Sequence, residues 1–250
     1  MKELSLKQKI QRALDIAEVQ NVMSKHAYYH GAGYHLQELA EIWVKEDGPH
    51  AATASFGQNH GYWVGMKRIR QYYGELNEKN RKKNLEMVSR LHPEVENIQE
   101  NEGVGSLIMH TLTTPIIEVA GDGRTAKGMW YSPGQVTEVG ADGKPMAMWM
   151  WEKYGADFIK EDGKWKLWHI HMFTDFAVPP GKSWIDPTTR SDFSSGDTVE
   201  RSPEMKPDIE KVTYEEWSPT TVPQLTPMPE PYYTFSETFS YGPQQNWLIG

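Results

Sequence analysis

The 250-residue sequence contains no cysteine. Disulfides, thiolate nucleophiles and cysteine metal sites are therefore excluded, and the absence fits a reducing compartment. Basic charge is also scarce: 26 Lys and Arg stand against 34 Asp and Glu, a formal net charge of -8. Such a chain offers no basic face to neutralise phosphates, so no nucleic-acid partner is expected. No apolar run approaches the roughly 18 residues that would cross a bilayer, so no membrane partner is expected either. The N-terminal stretch MKELSLKQKIQRALDIAEVQ has no apolar h-region and no small-residue cleavage site. It does not read as a signal peptide, and a cytoplasmic location is expected. Walker and dinucleotide fingerprints are missing; Asp122-Gly123 and Asp142-Gly143 read as turns, not phosphate loops.

What the chain does have is helical periodicity at its start. From Leu6 to about His30, Ile10, Ala13, Ile16, Val19, Val22, Met23 and Ala27 recur at helical spacing. Gly31-Ala32-Gly33 interrupts this helix, and a second runs from about His35 to Val44. Ala51 to Phe56 reads as a short strand and Gly57 to Gly61 as a turn; a third helix begins after Gly65 and carries Ile69, Tyr72, Tyr73 and Leu76. From about residue 103 the period changes to that of strands. Gly105 to Val119 reads as one strand with Pro115 at a bulge or an edge. Thr125 to Ser132, Met146 to Ile159 and Lys164 to Phe176 follow, separated by Gly121-Asp122-Gly123, Ala141-Asp142-Gly143 and Glu161-Asp162-Gly163 turns. Helices followed by a strand meander predict an α+β fold.

After Pro179 the composition shifts. Eleven of the sixteen prolines lie from Pro179 to Pro243, and regular periodicity disappears. Large aromatics persist there: Trp184, Phe193, Trp217, Tyr232, Tyr233, Phe235, Phe239, Tyr241 and Trp247. A solvated linker would have few of them. Residues 1–178 are therefore expected to form one domain, and 179–250 an extended arm lying across a neighbouring subunit of a homo-oligomer, dimer or trimer; folding back on its own subunit is the alternative.

Several local signatures occur in a familiar order. Glu38-Leu39-Ala40-Glu41-Ile42-Trp43 closes the second helix; Gly61-Tyr62-Trp63-Val64-Gly65 precedes Ile69 and Tyr72-Tyr73; His110 precedes Ile117-Glu118-Val119 and Gly121-Asp122-Gly123; Tyr154 and Phe158 precede Glu161-Asp162-Gly163-Lys164-Trp165-Lys166-Leu167. Over residues 10 to 176 this resembles the SnoaL-like branch of the nuclear-transport-factor-2-like superfamily. The resemblance implies a cone: three N-terminal helices packed on a curved, mostly antiparallel sheet, opening into an apolar pocket. Its members include ketosteroid isomerase, scytalone dehydratase, polyketide cyclases, bile-acid dehydratases and cofactor-free lyases on lignin-type aromatics, while others only bind ligands, so fold alone does not settle function. The family's dehydratases often carry Asp at the first helix break. Here the stretch from His26 to Leu36 contains no carboxylate.

Nine histidines dominate the candidate chemistry, since imidazole moves protons near neutral pH. His26 and His30 share a helix face at i, i+4. His169 and His171 share a strand face with Trp165, Leu167 and Phe173. His35, His50, His60 and His92 read as ordinary packed or surface residues. The resembling family places a functional His at the strand position of His110. His110, His169, His171, Tyr29 and His30 are thus the expected catalytic residues, with His26, Tyr34, Met129, Trp130, Trp151 and Phe173 expected to line the pocket. Two His pairs with Glu152 or Asp175 could surround a metal ion, but the pattern matches no known metal signature, and neither metal nor cofactor is expected. The soft apolar run Met146 to Trp151 suits a flat ring system. The expected activity is acid–base chemistry on a hydrophobic aromatic or polycyclic small molecule, of lyase, dehydratase or isomerase type; the alternative is a non-catalytic small-molecule binding or assembly protein.

Overall fold

The computed structural model describes residues 4–96, 104–139, 144–186, 206–222 and 225–243. The expected Ala141-Asp142-Gly143 turn, Phe193 and Trp247 lie outside the described residues.

Helix α1 (Leu6–Ala32) opens on a capping box: the Gln8 amide donates to Ser5 Oγ, and the Ser5 amide donates to Gln8 Oε1. Its buried stripe is Asp15, Val19, Val22, Met23 and His26. It ends at Gly33, whose φ of 77° is the left-handed conformation that glycine adopts without strain. The Arg81 side chain lies against this glycine and donates to the Ala32 carbonyl at 3.1 Å, satisfying one of the helix's last acceptors. The chain then reverses into α2 (His35–Ile42).

A hairpin of β1 (Ser55–Gln58) and β2 (Gly61–Val64) follows, so the strand lies later than Ala51 to Phe56. Helix α3 (Met66–Ile69) continues through a π-helical turn, Arg70–Glu75, into α4 (Leu76–Leu91). The expected single strand around Pro115 is two: β3 (Leu107–His110) and β4 (Thr113–Val119), the latter carrying a register shift between Thr113 and Ile116. Both pair with β5 (Thr125–Val139), one beyond the other along its length. β5, β6 (Pro145–Glu161) and β7 (Lys164–Val178) are the long antiparallel spine. β1 joins β7 in parallel, and β8 (Ile209–Glu210), from the arm, pairs with β2.

Helices lie on the inner face of this sheet. Trp130, Tyr154, Ala156, Phe158, Leu167 and Ile170 pack there against Val19, Met23, Leu39 and Ile42. The outer face is different. Lys127 is fully buried on it, ion-paired to Asp157 at 2.6 Å. Asp157 Oδ2 accepts from the Tyr241 amide and Ser240 Oγ, each at 2.8 Å, and faces His169 Nδ1 at 2.8 Å. Burial acts to raise the Asp157 pKa, but Lys127 and His169 outweigh it and hold the carboxyl at about 2. Phe235 and Phe239 lie over the Lys127 ammonium at 4.4 and 4.6 Å. Tyr214 and Tyr241 bury themselves against Phe173. The described arm residues thus dock on the sheet of their own chain, and each buried ring removes enough area from water to contribute a few kcal/mol.

One irregularity decides which residues face inward. The β6–β7 register shifts between Asp157 and Phe158, so Leu167 and His169 oppose consecutive residues of β6 and Trp168 is the extra residue of a bulge. Trp165 and Leu167 therefore join the inner core, while His169, His171 and Phe173 turn to the outer face. The expected shared face of these five residues is broken at that point.

Candidate active site

The inner face of the cone holds a cavity of about 380 Å³ between α1, α2, α4 and the sheet. Three histidines meet at its wall. His30 comes from the last turn of α1, His35 from the first turn of α2 and His110 from the end of β3. His30 Nδ1 lies 3.1 Å from His35 Nε2 and 3.1 Å from the Tyr73 hydroxyl. The His30 and His110 rings are 5.1 Å apart.

The hydrogen-bond partners fix the protons. His35 Nδ1 sits 3.2 Å from the Gly33 carbonyl, which can only accept, so His35 carries its proton on Nδ1. Its Nε2 is then an acceptor and takes the Nδ1 proton of His30. The Tyr73 hydroxyl donates to Glu38 Oε2 at 2.7 Å, so its oxygen also accepts from His30. His30 Nε2 is left with a lone pair. Burial, with the nearby His110, His35, His26 and Arg81, holds His30 well below the usual imidazole value. Burial, only partly offset by Glu38, lowers His35 to about 4.

Glu38 anchors this group. It is fully buried on the inward stripe of α2 and takes three contacts: His26 Nδ1 at 2.8 Å, Trp43 Nε1 at 3.1 Å and Tyr73. His26 stacks on His30 with centroids 5.8 Å apart. Tyr73 is presented from the π-helical turn, and burial followed by Glu38 raises its hydroxyl well above the usual value, so it stays protonated.

His110 is served by a second carboxylate. Its Nδ1 lies 3.2 Å from Glu152 Oε2, close enough for an ion pair, although no hydrogen-bond partner is aligned with it among the described residues. Glu152 also accepts from Thr174 Oγ1 at 3.0 Å and from the Tyr154 hydroxyl at 3.3 Å. The arrangement presents a lone-pair nitrogen and a carboxylate-backed imidazole at one cavity, which is what moving a proton on and off a bound molecule requires. Among the described residues no group of three or more His, Asp or Glu side chains is arranged to hold a metal ion.

Of the residues singled out in the sequence, His30 and His110 line the cavity and His26 stands directly behind it. The others lie elsewhere. His169 and His171 are under the arm, His169 between Asp157 and the Thr53 carbonyl and His171 against Thr213. Phe173 is beneath Tyr214 and Tyr241, and Met129 meets Thr226 of the arm. Trp151, one residue out of phase with Glu152, is 43% exposed and stacks on Phe176. Trp130 is inward but belongs to the core, donating to Gln20. Tyr29 points its hydroxyl at Glu41 and Tyr34 is exposed. Glu38, His35, Tyr73 and Arg81 are outside the set expected from the sequence, and Glu152 enters it only as a metal ligand. Glu38 had a readable signal: it shares the i, i+3, i+4, i+7 stripe of His35, Leu39 and Ile42.

A model of the SnoaL-like domain matches residues 11–171. The chain belongs to the SnoaL-like family. No curated protein matches it. Solved structures match at low identity. The hexachlorocyclohexane dehydrochlorinase LinA-type3 from Novosphingobium barchaimii LL02 is 15% identical, over 72% of this chain and 99% of that one, with a TM-score of 0.44. An NTF2-like protein with a cystatin-like fold from Novosphingobium aromaticivorans is 14% identical, over 69% and 90%, with a TM-score of 0.42. A protein of unknown function from Mycobacterium tuberculosis is 18% identical, over 66% and 75%, with a TM-score of 0.39. The family match ends at His171, within β7, and the arm lies beyond the matched residues.

Proposed function

We propose that this SnoaL-like protein is a cofactor-independent acid–base enzyme of the lyase, dehydratase or isomerase kind, acting on a ring-bearing small molecule in the cone cavity. The observation that carries the reading is the proton order Gly33 carbonyl, His35, His30, which leaves His30 Nε2 unprotonated at a buried wall. In this reading His30 removes a proton next to a carbonyl, phenol or alcohol. His110, beside Glu152, delivers a proton to the oxygen or leaving group that develops charge. Tyr73 and Glu38 are positioning residues that hold His30 in its tautomer. Ile108, Val136, Met150 and Met172 supply the apolar wall for the ring.

Solvent-deuterium exchange tests this without knowledge of the natural substrate. Aryl ketones are incubated in D2O with the protein, and exchange at the carbon beside the carbonyl is followed by mass spectrometry. The wild type should accelerate exchange without added cofactor, and His30→Gln should reduce the acceleration by roughly a hundredfold or more. Equal exchange by the two proteins would remove His30 as the base; binding of the ketones with no exchange by either would leave a binding protein.

A further inference from the structure

The cavity is more polar than a pocket for a hydrocarbon needs. Helix α4 turns Asn77, Asn80, Arg81 and Asn84 toward it, three amides and a guanidinium at helical spacing where an apolar stripe would be ordinary. Among the described residues, Arg81 is the only lysine or arginine lining the cavity. It is only 9% exposed, and its charge reaches the imidazoles of His30 and His35, lowering both. The one lining carboxylate among those residues, Glu152, already has Thr174, Tyr154 and His110 around it.

Asn77 Nδ2 donates to the Tyr73 carbonyl at 2.8 Å and Arg81 to the Ala32 carbonyl. A wholly apolar molecule would still add no partner for the polar groups of this wall, Asn80 and Asn84 among them, and burying polar groups without one costs free energy. An oxygen-bearing anion supplies such a partner, because a guanidinium fork and amide N–H groups match carboxylate geometry. The net charge of -8 means that the protein's overall field does not attract anions, so any preference for one originates at this wall. On the opposite wall Ile108, Val136, Met150 and Met172 fit an apolar ring.

We infer that the cavity takes an aryl carboxylate, its ring on the sheet wall and its carboxylate at the Arg81–Asn84 edge of α4. This deepens the proposed function by naming the substrate class, and it rests on the cavity being the ligand site.

The test is isothermal titration of the full chain with 2-naphthoate and with 2-naphthamide, which share one ring system and differ in charge. The wild type should bind the carboxylate at least about tenfold more tightly than the amide. Arg81 also caps α1, so its removal is a poor probe. Asn84→Asp, at a half-buried position, places a like charge on the same wall instead. With folding checked by circular dichroism, it should weaken naphthoate about tenfold and leave naphthamide within about twofold. Equal affinity of the two probes for the wild type, naphthoate binding indifferent to Asn84→Asp, or no binding of either probe would each overturn the inference. His110→Gln separates it from the catalytic reading: it should keep the carboxylate preference while losing exchange activity. A preference without any catalysis would sink only the acid–base proposal, and catalysis on neutral compounds without a preference would sink only this one.

Discussion

His30 and His35 meet nitrogen to nitrogen, Nδ1 to Nε2, at 3.1 Å, and the Gly33 carbonyl decides which of them holds the shared proton. The end of α1 thus sets the tautomer of a side chain three residues upstream. That is a consequence of local backbone geometry: Gly33 is left-handed, the chain reverses, and the first residue of α2 lands beside the last turn of α1.

Burial keeps His30 well below 6.5 and His35 at about 4, so both are neutral at physiological pH. A rate that depends on the His30 lone pair should therefore persist as pH falls through 6.5. The acid limb of kcat/KM, measured on any substrate found by deuterium exchange, is expected below 6.5. A limb at or above that value would contradict the burial argument.

Stability should follow the same sign. His35 and His171 titrate at about 4 and about 3 in the folded chain and near 6.5 once unfolded. Below 6.5 the unfolded chain binds protons that the folded chain refuses, so stability is full above 6.5 and is lost on acidification, down to about 4 for His35 and about 3 for His171. Each contributes a slope of at most about 1.4 kcal/mol per pH unit. Urea midpoints at pH 7.5 and pH 5 would show the loss; a midpoint that rises on acidification would reverse the sign.

Glu38 is expected to matter for folding as much as for chemistry. Glu38→Leu strands the Tyr73 hydroxyl, His26 and Trp43 Nε1 in the core and should cost about 3 kcal/mol or more. Glu38→Gln preserves the shape and should cost less. Chemical denaturation gives both values, and a Leu variant as stable as wild type would mean that these contacts are not what holds α2.

The architecture was largely legible in the sequence, the site only in part. Apolar periodicity located α1, α2 and the long strands because those residues bury one face each. Period-two reading fails at Trp168, since a bulge inserts one residue and reverses the side chains from His169 to Thr174, until a second shift at Asp175 restores the phase; nothing in Leu167-Trp168-His169 signals that insertion. This carried His169, His171 and Phe173 to the wrong face. Glu38 is not readily legible because a charged residue on a helix is normally solvated, and here it is buried among His26 of α1, Tyr73 of the π-helical turn and Trp43 at the end of its own helix. Glu152 and His110 are 42 residues apart, by subtraction of their numbers, and only strand pairing brings them together. The arm's aromatics announced a docking surface, but the surface itself, Lys127 and Asp157, is built from strands that read as ordinary.

The arm should respond to a single methyl group. A Cβ at Gly155 would stand 2.3 Å from the Tyr241 ring, so Gly155→Ala must push Tyr241 off the sheet. A loss of about 1–3 kcal/mol is expected, with faster proteolysis between residues 206 and 243. Asp157→Asn, which leaves buried Lys127 without its partner, should cost about 3–5 kcal/mol. Unchanged melting and proteolysis in both variants would show that the arm contributes nothing to the stability of the sheet.

The central claim is that His30 presents an unprotonated Nε2 to the cavity, and nitrogen-15 NMR of histidine-labelled protein reads it directly. With His30 assigned by comparison with His30→Gln, its spectrum at pH 7 should show a neutral ring protonated on Nδ1 and bare on Nε2. A proton on Nε2, or an imidazolium carrying both, would contradict the account.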